Sequence, residues 1–401
     1  MTIAQAEVLP NIGAYAVRAG WDIATIGELF SIQQGKALSA AARTASSRFP
    51  FLRTANVLWG NLDLTKVDRM GLSDVERAKL RLARGDLLVC EGGEIGRAAI
   101  WDGSIEECYF QNHIHRLRPL REDVNPSFYA YWLQLAFTRL GVYEGAGTKT
   151  TIANLSRGRL ANLLVPVPPL EEQRRIARIL STIQRVAATR KSQIVSVTEL
   201  RRSLIEDFFS EADRVVLLSS LIERPQYGFT ASASNNGPVR FLRITDIQEW
   251  GIDWNTVPSC DPLPPAGGRY ELTDGDLVVA RIGATTGKAW LISNPPASVF
   301  ASYLIRIRAR SEVDPRFLGA FFESRAYWSQ IDSAKGGRLK GGVNIENLNS
   351  LHVPYLPPAT QLRLGQSLDA IALARHAGWN SASATSALFD SAMATLLGSV
   401  P

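Results

Sequence analysis

The sequence predicts an α+β chain: two tandem α/β modules separated by two long antiparallel coiled-coil helices, as a pseudo-twofold repeat. Three observations predict it. The first is internal repetition: Phe51-Leu52-Arg53 returns as Phe241-Leu242-Arg243, and Gly85-Asp86-Leu87 as Gly275-Asp276-Leu277. Phe110, Arg116 and Arg118 return as Phe300, Arg306 and Arg308, Val165-Pro166 as Val353-Pro354, and Gln173 as Gln361. A period of this size is a whole domain plus a connector, too long for a solenoid unit. The second is that each half opens with short apolar runs bounded by Gly and Pro, which read as strands. The third is that each half ends in a long stretch of helical spacing after a Pro-Pro pair.

The elements follow in order. Residues 1–20 form a lead with little periodicity. Residues 21–164 are the first module, with strands near Asp86–Cys90 and Ile114–Leu117 and a helix across Ser127–Leu140. Residues 165–212 carry the first long helix. Pro168-Pro169-Leu170-Glu171-Glu172-Gln173 opens it, since Pro suits the first turn and Glu the positive end of the helix dipole. At 1.5 Å per residue, about 42 residues make a rod of roughly 60 Å. Residues 213–354 repeat the module, with strands near Asp276–Ala280 and Tyr303–Ile307 and a helix across Pro315–Ile331. Residues 355–401 hold the second long helix.

Steps alternating between four and three residues define a seam on both helices. On the first it runs through Ile176, Leu180, Ile183, Ile194, Val197, Leu204 and Phe208. On the second it runs through Leu364, Leu368, Ile371, Phe389 and Leu396, at an offset of 188. Arg201 and Arg375 also fall on the seam, where they weaken it or fix its register. Gly378 and many small residues give the second helix poor intrinsic propensity, so it is expected to need a partner. Two related helices in one chain most simply pack against each other.

Composition sets bounds. The 401 residues suffice for two cores, and 46% hydrophobic with 20% charged residues is ordinary globular usage. No apolar run is long enough to cross a bilayer and no signal peptide is evident, so a cytoplasmic protein is expected. Cys90, Cys108 and Cys260 lack metal-ligand spacing and read as reduced, buried thiols. The net charge of +6 is shared between the halves and permits a nucleic-acid partner without requiring one. The basic residues are mostly Arg, which favours bidentate contacts to phosphate or guanine but equally accompanies a GC-rich genome.

Several motifs imitate catalysis. Asn294-Pro295-Pro296-Ala297 resembles the adenine methyltransferase tetrapeptide but has Ala where an aromatic must stack on a flipped base. Gly283–Ala289 resembles a phosphate loop but is one residue short and lacks Ser or Thr after Lys288. His113 and His115 are expected to face opposite ways on their strand, and no further ligands complete a metal site. No Ser-His-Asp arrangement is present. What remains is polar loop chemistry at matching places. Arg53 and Asn56 match Arg243 and Asp246. The turn Glu91–Arg97 matches Arg281–Lys288, including Thr285. Gln111, Asn112 and His113 match Ala301, Ser302 and Tyr303. Thr148, Lys149 and Thr150 match a loop carrying Arg338 and Lys340. Gly-rich turns let backbone amides approach a ligand. Scaffold positions repeat, while the polar positions Asn56/Asp246, Glu91/Arg281 and Asn112/Ser302 change and are expected to be exposed. Two modules with one fold reading different base sequences would show this pattern.

These features resemble the specificity subunit of type I restriction–modification systems over nearly the whole chain. The resemblance rests on the Phe-Leu-Arg strand, the Gly-Asp-Leu strand with its Gly-rich loop, the Gly145–Thr151 loop, and the phrase Val165–Ile176 before a long helix. The second copy, Pro357-Pro358-Ala359-Thr360-Gln361, lacks the acidic pair. The resemblance implies two target recognition domains, each reading half of a split double-stranded DNA site. It implies helices that fix the gap and dock two adenine methyltransferase subunits, with restriction/translocase subunits joining for cleavage. No cofactor is then bound by this chain, and S-adenosylmethionine and ATP/Mg belong to the partners. The competing readings are an enzyme acting on DNA by itself and a scaffold with no DNA role.

Overall fold

A computed structural model describes residues 11–12, 15–141, 154–248, 251–261, 268–335 and 342–398. The chain is α+β and divides into two units. One is Met1–Ala187 with Ala384–Pro401, and the other is Ala188–Ser383.

In the first unit a four-stranded antiparallel sheet has the order Ala98–Ile100, Leu87–Cys90, Ile114–Pro119, Phe30–Gln34. The second unit repeats it as Ala289–Leu291, Leu277–Ala280, Leu304–Ile307, Gln226–Tyr227. Beside each lies a second sheet with one parallel pairing, of three strands in the first unit and four in the second. Phe51 pairs Tyr109 and Leu52 pairs Phe110; in the repeat Phe241 pairs Val299 and Leu242 pairs Phe300. The start and end of each module pair as well: Asp22–Thr25 with Leu164–Val167, and Arg214–Leu217 with His352–Tyr355.

The repeated polar residues hold this scaffold. Asp86 is 3% exposed and takes Arg118 in a bidentate pair, Nε–Oδ1 2.6 Å and Nη2–Oδ2 2.9 Å. Asp276 takes Arg308 at 2.7 and 3.1 Å. Arg116 donates to the carbonyls of Lys79 and Arg81 and lies over Phe110; Arg306 donates to Glu271 and lies over Phe300. Gln173 and Gln361 are both fully buried. Gln173 accepts from Asn125 N (2.8 Å) and donates to the carbonyls of Asp123 (3.0 Å) and Pro168 (2.8 Å). Gln361 accepts from Asp314 N (3.0 Å) and donates to Leu356 O (2.8 Å). Each thus fastens the start of a long helix to the turn before a short one.

The long helices span Leu170–Ser210, 41 residues, and Pro358–Leu397, 40 residues. Within the second unit they run antiparallel: Ile194 meets Gly378, and Arg363 lies over Phe208. The seam is only partly sheltered. Ile176, Leu180, Leu364 and Leu368 are buried, whereas Ile183, Ile194, Val197, Leu204, Phe208, Ile371, Phe389 and Leu396 are half-buried. Seam Arg201 turns to Glu323 in a bidentate pair at 2.8 and 2.7 Å, and burial lowers the pKa of Arg375. A second stripe was missed in the sequence. Ile205 and Phe209 are buried in the second unit's core with Leu364 and Leu368. Their repeats Met393 and Leu397 are buried in the first unit's core with Ile176 and Leu180. Each module therefore buries the start of one long helix and the end of the other. The described part of the lead packs on the first unit's core. Tyr15 and Val17 are buried, and the Tyr15 hydroxyl donates to Leu397 O at 2.7 Å.

Two helix expectations change in detail. Pro126–Leu135 continues into a π-helical turn over Ala136–Leu140. The single helix expected over Pro315–Ile331 is two, Pro315–Glu323 and Arg325–Lys335. Ser324 is extended between them, and its hydroxyl accepts from Tyr327 N, capping the second.

One glycine pair repeats without a constant offset. Gly35 lies against the carbonyls of Phe110 and Gln111, and Gly228 against those of Phe300 and Ala301. A Cβ would sit 2.3 Å from oxygen in the first case and 2.2 Å in the second. Gly35→Ala and Gly228→Ala should each cost about 3 kcal/mol, the upper end for overpacking. Urea unfolding of the full chain measures it, and a change below about 0.5 kcal/mol, typical of an innocuous surface substitution, would contradict the close approach.

Candidate nucleic-acid interface

In each unit three chain segments meet at one end of the four-stranded sheet. In the first they are the end of Phe30–Gln34, the turn Glu91–Arg97, and the turn Gln111–His113. The same backbone hydrogen bonds join them in both units. Glu91 N donates to His113 O and Arg281 N to Tyr303 O; Leu155 N donates to Glu91 O and Val343 N to Arg281 O. Gly35 N donates to Ile114 O and Gly228 N to Leu304 O.

On this shared frame the side chains differ. In the first unit Gln34 Nε2 donates to Glu91 Oε2 and to Asn112 O, both at 3.0 Å. His113 Nδ1 and His115 Nε2 both lie 3.9 Å from Glu91 Oε2. In the second unit Tyr227 replaces Gln34 and Arg281 replaces Glu91. The Arg281 guanidinium lies over the Tyr227 ring at 4.6 Å and donates to Ser302 O at 3.2 Å. Exposed Tyr303, at 57%, stands where His113 stands at 53% side-chain exposure. A carboxylate bonded by an amide and flanked by two imidazoles thus becomes a guanidinium stacked on one aromatic ring. The exposed members of the two sets, His113 and Tyr303, carry different donors and acceptors.

Several expectations need correction. His113 is exposed and His115 buried, as expected, but not by alternation along a strand: positions two apart on a strand share a face, and His113 lies in the turn before the strand Ile114–Pro119. His115 is fully buried, bonds Leu155 O at 3.0 Å, and its pKa is lowered by burial. Asn56 and Glu91 are not exposed, at 6% each, and the Asp246 carboxylate is nearly covered. Asn56 Oδ1 accepts from Arg53 N, and its Nδ2 donates to the carbonyls of Asp63 and Lys66. Asp246 accepts from Arg243 N in the same way and pairs with the Arg243 guanidinium. The change from Asn to Asp therefore preserves a cap. Arg53 is exposed and paired with Asp68 at 2.8 Å. Arg97 is half-buried and donates to Thr54 O at 3.0 Å, whereas its repeat Lys288 is exposed. Gln111, Asn112, Thr285 and Ser302 are half-buried at the turns. Thr148, Lys149, Thr150, Arg338 and Lys340 lie outside the described residues.

The decoys resolve as turns. Gly283–Ala289 links two antiparallel strands instead of opening a helix, so it lacks the helix N-terminus of a phosphate loop. Asn294 takes a left-handed turn conformation, φ 44°. Among the described residues no cluster of three metal-ligating side chains occurs, and no helix is long and apolar enough to cross a membrane.

Comparison with known proteins points to one family. The family model described as the type I restriction modification DNA specificity domain matches residues 18–198. The proposed MjaX type I specificity subunit of Methanocaldococcus jannaschii is 24% identical over 372 residues, 88% of this chain and 86% of that protein. Over most of its length the chain is thus similar to type I restriction–modification specificity subunits. The EcoKI specificity subunit of Escherichia coli K12 is 21% identical over 376 residues, 85% of this chain and 80% of that protein. The fold matches the crystal structure of an S subunit from M. genitalium, with TM-score 0.65 at 15% identity, covering 96% of this chain and 97% of that one. A chain from a study of type I complex assembly and conformational transition matches with TM-score 0.52 at 14% identity, covering 96% and 99%.

Proposed function

We propose that this chain is a non-catalytic specificity subunit that reads a bipartite double-stranded DNA site, one module to each half. The observation that carries this reading is the repeated backbone frame holding two different polar sets. A single-site binder has no use for such a duplication. The long helices then serve as a ruler between half-sites and as the dock for two adenine-N6 methyltransferase subunits and the restriction/translocase subunits. S-adenosylmethionine and ATP/Mg are proposed to belong to those partners, in a cytoplasmic complex. Half-sites read from one face of DNA sit about one turn, roughly 34 Å, apart, within reach of a rod of some 60 Å.

The test is to assemble the chain with its methyltransferase and sequence the methylated adenines. One split motif is expected; scattered methylation would refute the reading. Lys288→Ala should weaken binding on all sequences and lower the log–log salt slope by about one, as loss of a phosphate contact does. His113→Ala or Tyr303→Ala should instead relax preference at one base pair, by about 1–3 kcal/mol for a direct contact. Unchanged affinity and preference in all three variants would remove these turns from the interface.

The ruler has its own test. Four residues inserted after Ala188 add roughly 6 Å and about one helical turn, leaving a stutter in the seam. The insertion variant should prefer a gap longer by about one or two base pairs, at about 3.4 Å each. Methylation of a library of gap lengths reads this out. An unchanged gap in an active variant would show that other elements set the distance.

A further inference from the structure

The two units differ at one place away from the reading turns. In the first, a groove of about 470 Å³ opens between the helix Pro126–Leu135 and the start of the first long helix. Ser127, Tyr131, Arg174, Arg178, Ser181 and Gln184 line it. Its floor is fixed: Tyr131 donates to Gln184 Oε1 at 2.8 Å, and Gln184 Nε2 donates to Trp59 O at 3.2 Å.

In the second unit the corresponding space holds a side chain. Arg316 follows Pro315 as Ser127 follows Pro126. Its guanidinium donates to Asp314 at 2.6 Å and to Asp369 at 2.5 Å. It lies across Gly365, where a Cβ would sit 2.4 Å from Arg316 Nε. At the offset that relates Gln173 to Gln361, Gly365 corresponds to Ala177 and Asp369 to Ser181. Leu362 and Gln366 likewise correspond to Arg174 and Arg178. The second unit therefore plugs the groove with a cation between two carboxylates. The first removes the plug, removes both carboxylates, and brings two guanidiniums to the rim.

We propose that the first-unit groove binds an oxyanion, phosphate or carboxylate, carried by a small molecule. Arg174 shares its charge with Glu171 at 2.7 Å, while Arg178 has no acidic partner among the described residues. A guanidinium fork binds either oxyanion through paired N–H donors, and the Ser127 hydroxyl adds a neutral donor. The volume falls within the roughly 300–1,000 Å³ of small-molecule sites and exceeds what one phosphate fills. Trp59 Nε1 also donates to Glu94 at 2.6 Å, so the groove floor is one residue from the turn Glu91–Arg97. The site is independent of the DNA-reading proposal and would stand if that failed.

The test titrates the full chain with inorganic phosphate, followed by ³¹P line broadening, and separately with glutarate, followed by saturation-transfer proton spectra. Chloride holds ionic strength constant. Saturable one-to-one binding of at least one anion is expected, and the tighter of the two identifies the oxyanion class. Arg178→Gln, which installs the second unit's residue on an exposed helix face, should weaken binding at least about tenfold, as loss of a charge-assisted pair does. The quadruple variant Asn125→Asp, Ser127→Arg, Ala177→Gly, Ser181→Asp copies the plugged arrangement and should abolish binding. Arg202→Ala, elsewhere on the same helix, should leave it unchanged. No saturable binding of either anion, or equal binding by the wild type and Arg178→Gln, would overturn the proposal.

Discussion

Gln173→Leu is expected to destabilise the chain by about 3 kcal/mol or more, the largest loss from any single polar substitution considered for this fold. The side chain is fully buried and makes three hydrogen bonds, to Asn125 N, Asp123 O and Pro168 O. Leucine has a similar volume, so little of the cost is cavity. What it leaves is one donor and two acceptors stranded in the interior, each worth about 1–3 kcal/mol when unpaired. Gln361→Leu strands one donor and one acceptor and should cost less. Urea unfolding of both variants measures the order. A loss within about 0.5 kcal/mol for Gln173→Leu, the surface range, would mean that the helix start is not locked this way.

That glutamine illustrates what could be read from the sequence. Its repetition at a fixed offset was visible, as were Asp86/Asp276 and Arg118/Arg308, because a scaffold contact needs the same side chain in both copies. The long helices were visible from their seam. Their buried second stripe, Ile205/Phe209 and Met393/Leu397, was hidden because four apolar residues next to a seam look like its margin. The structure shows that they turn into the module cores.

The geometry of the candidate interface was legible in part. The turns were found because Gly-rich loops repeat while their polar residues change. Which residues face solvent was not legible, since exposure depends on neighbours distant in sequence. Asn56 and Asp246 changed identity only within the chemistry of a cap, as both accept the same backbone N–H. Glu91 and Arg281 are held inward by Gln34 and Tyr227, and neither of these was singled out. The signal was present in Gln34-Gly35-Lys36 and Tyr227-Gly228-Phe229, but they stand 193 residues apart, off the 190-residue register of the neighbouring strands.

The second large effect concerns specificity. The frame around Gly35 and Gly228 repeats through backbone hydrogen bonds, so under the proposed function a module would carry its reading set as a unit. Strand pairing between Asp22–Thr25 and Leu164–Val167 closes the first module at its own ends. Residues 21–164 can be exchanged for the corresponding module of a type I specificity subunit provided that the incoming module keeps the contacts that cross the cut, namely the pairing with Leu164–Val167 and the bonds to Gln173. A half-site that loses one good base contact loses about 1–3 kcal/mol of discrimination, and a whole reading set sums several. The exchange should replace one half of the motif outright.

The direct measurement is the set of methylated adenines laid down by the wild-type chain and by this chimaera, each assembled with the same methyltransferase. The account predicts two split motifs that share one half-site and the gap, and differ wholly in the other half-site. An active chimaera in which both half-sites change together, or neither changes, would contradict independent reading by the two modules.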